Sequence, residues 1–96
     1  MKSFHSEEVE NLFKALLLLE DTEECASFFE DICTVKEIQD IAQRLEVAKM
    51  LKAKKSYQTI SKETGASTAT ISRVNRCLLY GSGGYTKMLL KLEEAE

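Results

Sequence analysis

Four residues, Thr64-Gly-Ala-Ser67, constrain the fold of this chain more than any other stretch. They lie between two short segments with helical spacing, and each supplies one part of a sharp corner. Gly65 falls where a helix ending in the left-handed conformation wants no Cβ. Ala66 is small enough to be buried inside the turn. Ser67 can cap the helix that follows, its hydroxyl accepting an otherwise unsatisfied backbone N–H. Before the corner, Ile60 faces inward, with small Ser61 beside it where another helix must come close. After the corner, Ile71, Val74 and Leu78 recur at helical spacing and form one apolar stripe. Ser56–Leu78 is therefore predicted to be two helices joined by a tight turn, a helix-turn-helix.

The face opposite the stripe carries Thr68, Ala69, Ser72, Arg73 and Arg76, with no carboxylate among them. Such a face suits the DNA major groove. Ser67, Thr68, Ala69 and Thr70 lie at the start of the second helix, where base edges come within reach. Ser72, Arg73 and Arg76 follow one and two turns on. Arginine reads guanine through two acceptors, and Ala69 or a threonine methyl suits thymine. A purely structural helical hairpin would also use a glycine turn. Turn chemistry, stripe and charge together favour DNA.

Net charge is −3, an unpromising value for a DNA-binding protein until it is divided. Residues 1–34 hold Lys2 and Lys14 against nine acids, a net −7. Residues 49–76 hold Lys49, Lys52, Lys54, Lys55, Lys62, Arg73 and Arg76 against Glu63 alone, a net +6. Lys52, Lys54, Lys55 and the helix start at Ser56 are thus the expected phosphate contacts. A solvated lysine turn would explain Lys52–Lys55, but not the scarcity of acids after it.

The rest of the chain reads as all-α. Proline is absent, and three of the four glycines fall within Gly81–Gly84. Ser6 can cap a first helix with the stripe Val9, Leu12, Phe13, Leu16 and Leu19. Thr22 can cap a second, carrying Cys25, Phe28, Phe29 and Ile32. Thr34 and Glu37 have capping-box spacing and open a longer third helix, whose stripe is Ile38, Ile41, Ala42, Leu45, Ala48 and Leu51. The glycine cluster breaks the chain before a last helix near Tyr85 that buries Met88, Leu89 and Leu92. Residues 1–96 form one domain: N-terminal dimerisation helices (1–33), central helix and turn (34–55), helix-turn-helix (56–80) and C-terminal helix (85–96). Leu17 and Leu18 widen the first helix's apolar surface beyond what so small a chain can cover. A twofold dimer would bury it and set two recognition helices about one duplex turn apart.

Other function classes find little support. No apolar run approaches transmembrane length, and the acidic N-terminal segment has no signal-peptide layout, so a cytoplasmic protein is expected. Cys25, Cys33 and Cys77 lack metal-finger spacing and fit a reducing compartment. His5 is the only histidine. No metal site, cofactor or catalytic set is expected, and an enzyme is not.

The stretch GASTATISRVNRCL followed by YGSGGY resembles the Trp repressor superfamily, within it the small bacterial branch of Trp-repressor-related YerC/YecD proteins. The resemblance runs from about Phe28 to Tyr85. It implies an intertwined all-α homodimer of six helices that binds operator DNA and regulates transcription. In Trp repressor, tryptophan sits between a threonine and an arginine ahead of the motif and an arginine in the recognition helix. The matching positions here are Thr34, Arg44 and Arg73, with Gln43 competing with Arg44 because the turn before Ser56 is one residue shorter. The glycine that follows the recognition-helix arginine is replaced by Val74, whose branched side chain would crowd an indole, so tryptophan is not the expected ligand. The reading is a sequence-specific DNA-binding regulator, a repressor by expectation. The alternative is a helical protein-interaction module that keeps the fold without using it on DNA.

Overall fold

The computed structural model describes residues 6–95, so His5 and Lys2 lie outside the described residues. Six helices and no strand occur among them: α1 (Glu7–Leu17), α2 (Thr22–Ile32), α3 (Val35–Lys52), α4 (Tyr57–Thr64), α5 (Thr68–Tyr80) and α6 (Gly84–Ala95). The chain divides into two compact units, one up to Val35 and one from Lys36 onward.

In the first unit the helix starts are set by local chemistry. Ser6 caps α1, its Oγ accepting the Val9 N–H at 3.1 Å, and Glu7, Glu8 and Glu10 occupy the positive end of the helix dipole. The second helix is capped by Asp21 rather than Thr22. The Asp21 carboxylate accepts the Glu24 N–H at 2.8 Å, and Glu24 accepts the Glu20 N–H at 2.9 Å. A carboxylate at this position satisfies the same donor as a hydroxyl and adds a favourable charge to the dipole. Thr22 thus becomes the first helical residue. Neither helix buries a residue fully. Phe28 and Phe29 meet edge-on at 6.0 Å, while Leu17 and Leu18 remain 85% and 78% exposed.

The second unit holds the hydrophobic core. Val47, Ala48 and Met50 of α3, Ile60 of α4, Ala66 of the corner, Ile71 and Val74 of α5 and Leu89 of α6 are buried together. Leu51, Leu78 and Tyr85 pack around them. No polar side chain is buried with them among the described residues. The stripe expected on α3 is covered at Ile38, Ala48 and Leu51 but not between Ile38 and Ala48. Ile41 and Leu45 are exposed, and Val47 and Met50 take the inward positions instead. The reason is coverage, because α4, α5 and α6 supply core partners only for the C-terminal half of α3. On α6 only Leu89 is buried, and Met88 and Leu92 stay half exposed.

The third helix opens at Val35, directly after Thr34, and closes without a glycine. The Lys54 N–H donates to Leu51 O and the Lys55 N–H to Met50 O, both at 3.0 Å, with Lys54 left-handed at φ 67°. That pattern of bonds is a Schellman motif, in which a lysine occupies the position glycine usually takes. At the far end of the helix-turn-helix, Gly81 ends α5, its N–H donating to Cys77 O at 2.8 Å. A Cβ on Gly81 would run into that same carbonyl oxygen, so the close approach excludes larger residues.

Candidate nucleic-acid interface

The two helices of the motif begin with the same device. Ser56 Oγ accepts the Thr59 N–H at 3.1 Å and donates to Thr59 Oγ1 at 3.0 Å. Ser67 Oγ accepts the Thr70 N–H at 3.1 Å and donates to Thr70 Oγ1 at 3.1 Å. Each serine caps its helix, and each threonine three residues on holds the cap in place. Ser56, Ser67 and Thr70, read from the sequence as DNA contacts, therefore have their hydroxyls engaged in setting the helix starts.

The corner is fastened from several sides. Gly65 is left-handed at φ 78°, and its N–H donates to Ser61 O at 2.8 Å. Thr64 Oγ1 donates to Ile60 O at 2.7 Å and accepts the Ala66 N–H at 3.1 Å. Ser61 Oγ donates to Ala66 O at 2.8 Å, so the small residue beside Ile60 ties the first helix to the turn. Gln43 Nε2, from α3, donates to Thr64 O at 3.0 Å. These bonds occupy polar groups that the turn would otherwise leave unpaired, and they hold the angle at which α5 leaves the corner.

With Ile71 and Val74 buried and Leu78 half-buried, the stripe of α5 points inward. Thr68, Ala69, Arg73 and Arg76 are exposed on the other side, and Ser72 is half-buried. The helix has no acid in its first turn or anywhere along it. Nothing in that face offsets the two guanidiniums or the positive end of the helix dipole.

The lysines differ among themselves. Lys54 and Lys55 are exposed at the turn into α4. Lys52 is half-buried, and its Nζ is withheld from solvent without a hydrogen-bond partner. Its charge is withheld from solvent in this conformation, whereas Lys54 and Lys55 are exposed. A cleft of about 360 Å³ opens beside the corner, lined by Tyr57, Gln58, Ser61, Lys62 and Thr68. Tyr57, Gln58 and Lys62 were not singled out as contacts from the sequence. The signal was their position in the first turns after the Ser56 cap, next to the start of α5.

The family model for the Trp repressor protein matches residues 7–93. The chain belongs to the Trp repressor family. The match extends well beyond the stretch from Phe28 to Tyr85 that carries the sequence resemblance. The uncharacterized protein YerC of Bacillus subtilis (strain 168) is 55% identical over 89 residues, which are 93% of this chain and 86% of YerC. A TrpR-like protein from Eubacterium eligens ATCC 27750 superposes with a TM-score of 0.94 at 49% identity, covering 97% of this chain and 96% of that one. A Trp repressor candidate from Staphylococcus aureus gives 0.93 at 50% identity, covering 96% and 92%. The six-helix architecture is thus the family's, and the family is one of DNA-binding regulators rather than enzymes.

The resemblance assigns Thr34, Arg44 and Arg73 to an effector site. Thr34 belongs to the first unit, and Arg44 and Arg73 to the second. Of the two residues competing for the arginine position, Gln43 is committed to the corner through Thr64 O, whereas Arg44 is half-buried on α3. Val74, at the position where the resemblance expects a glycine, is a core residue. All three cysteines are free thiols, with Cys77 exposed. No helix among the described residues is long and apolar enough to cross a membrane.

Proposed function

We propose that this protein is a cytoplasmic transcriptional regulator, a repressor, that binds operator DNA as a homodimer and reads sequence through α5. The observation that carries the reading is the acid-free outer face of α5, exposed at Thr68, Ala69, Arg73 and Arg76 and held by the left-handed Gly65 corner. Thr68 and Ala69 would meet base edges at the helix start, with Ser72 and the two arginines further along. Lys54, Lys55 and the cleft side chains Tyr57 and Lys62 would meet phosphates on either side. The exposed leucines of α1, and Ile41 and Leu45 of α3, support a second copy as their cover. Tryptophan is not the effector in this reading, because the branched side chain of Val74 would crowd a flat ring.

A gel-shift assay with fragments of the source genome, at low and moderate salt, tests the proposal. Selected fragments should stay bound against excess competitor DNA. Binding to no fragment at either salt would leave the helical interaction module as the better reading.

A further inference from the structure

We infer that Gln43 is a positioning residue that sets sequence specificity, by fixing the register between the lysines that hold the duplex and the helix that reads it. The inference rests on the DNA-binding reading and goes further, naming the contact on which discrimination between sequences depends. In that reading Lys54 and Lys55, exposed at the turn after α3, meet phosphates, while bases are read from α5 beyond the corner. The two sets of side chains sit on different elements. What joins α3 to the corner therefore decides where the reading helix lies once the phosphates are engaged.

Two kinds of contact make that join. Val47, Ala48 and Met50 of α3 share a core with Ile60, Ala66, Ile71 and Val74. Apolar burial is non-directional, so it sets how closely the helices approach more than how they are turned. Gln43 supplies a directional contact, its Nε2 donating to Thr64 O at 3.0 Å across 21 residues of chain. The bonds made by the Ser61 and Thr64 hydroxyls reach at most 5 residues, and so fasten the corner only to itself. Thr64 ends α4, where the helix leaves carbonyls without internal partners. The same amide lies against the left-handed residue, since a Cβ on Gly65 would meet Gln43 Nε2 at 3.9 Å. Gln43 thus touches both residues at which the chain turns toward α5. A hydrogen bond weakens steeply as its angle opens, so this one resists rotation of the corner against α3.

The test compares full-length wild-type protein with Gln43→Met and Ser6→Ala. Gln43→Met keeps the length of the side chain and deletes the donor. Ser6→Ala removes a cap on α1 and controls for stability alone. Binding is measured to a duplex selected by the wild-type protein from a random-sequence pool, and to a shuffled duplex of the same composition. Gln43→Met should lower the ratio of the two affinities at least about fivefold, the low end of what one base contact contributes. Affinity for the shuffled duplex should stay within about twofold of wild type, with the same salt slope, because the lysines are untouched. Ser6→Ala should leave the ratio as it is. In nuclear magnetic resonance without DNA, Gln43→Met should shift the amide signals of Gly65, Thr68 and Ala69 and speed their hydrogen exchange. Should that variant fail to fold, Gln43→Asn, one methylene too short to reach Thr64, should give the same results.

An unchanged ratio in Gln43→Met, equal losses on both duplexes, or the same loss of ratio in Ser6→Ala would overturn the role of Gln43 and leave the DNA reading standing. Unaltered signals at Gly65, Thr68 and Ala69 would overturn it whatever the DNA result. Selection of no duplex by the wild-type protein would instead overturn the DNA reading, and this inference with it.

Discussion

Lys54 is the one non-glycine residue among those described that adopts a left-handed backbone. A side chain in that conformation costs roughly 1–2 kcal/mol relative to glycine, part of which glycine's extra flexibility returns. Lys54→Gly should therefore raise stability by about 0.5–1 kcal/mol in urea denaturation. It should also weaken DNA binding on every sequence and flatten the salt dependence by about one unit, as Lys54→Ala would. A gain in stability with unchanged salt dependence would remove Lys54 from the phosphate contacts and leave the strain without a purpose in binding. Gly65 is the converse case. A Cβ there meets only ordinary contact with Gln43, so Gly65→Ala should cost the backbone strain less the flexibility that glycine brings to the unfolded chain, about 0.5–1 kcal/mol. Arg76, exposed on an acid-free helix, separates reading from holding. If Arg76 pairs with a base, Arg76→Ala should cost about 1–3 kcal/mol on the preferred site and less on random duplex. Equal losses in a titration against both would make it a phosphate contact.

At the scale of elements, the paired serine caps give the motif its rigidity. Ser67→Ala should cost about 1 kcal/mol of stability through the unsatisfied Thr70 N–H. Ser67→Asp restores the cap but places a carboxylate at the helix end nearest DNA. Stability should be kept and DNA affinity lost, as measured by thermal melting and gel shift on the same sample. Retained affinity in the aspartate variant would mean that the start of α5 does not approach the duplex. Element positions were largely legible beforehand, because caps and corners are decided within three or four residues. Ser6, Ser56 and Ser67 cap the helices expected of them, and Gly65 takes the expected conformation. The second helix was misread by one residue, since Asp21 and Thr22 are both competent caps and only the geometry chooses between them. The end of α3 was marked by nothing more than a lysine cluster, because its Schellman motif lacks the usual glycine.

For the whole molecule, the uneven charge has a consequence that net charge conceals. A chain of −3 overall presents a +6 segment over residues 49–76, so DNA affinity should fall steeply between low and physiological salt. The exposed leucines make a second prediction. Light scattering should return twice the 10.8 kDa chain mass, and replacing Leu17 and Leu18 together by lysine should return a single chain. A monomeric wild-type protein would end the dimer reading, and with it the expectation of two half-sites one duplex turn apart.

The sequence alone determined the corner at Gly65, the inward stripe of α5, the acid-free outer face and the all-helical class. Each depends on residue size, backbone freedom and spacing within a turn or two of helix. Tertiary structure decided which apolar residues of α3 are covered, turning Val47 and Met50 inward and leaving Ile41 and Leu45 exposed. It also committed Gln43 to a carbonyl 21 residues away and withdrew the ammonium of Lys52 from solvent. Those outcomes rest on partners distant in the chain, and spacing along one helix carries no information about what will pack against it.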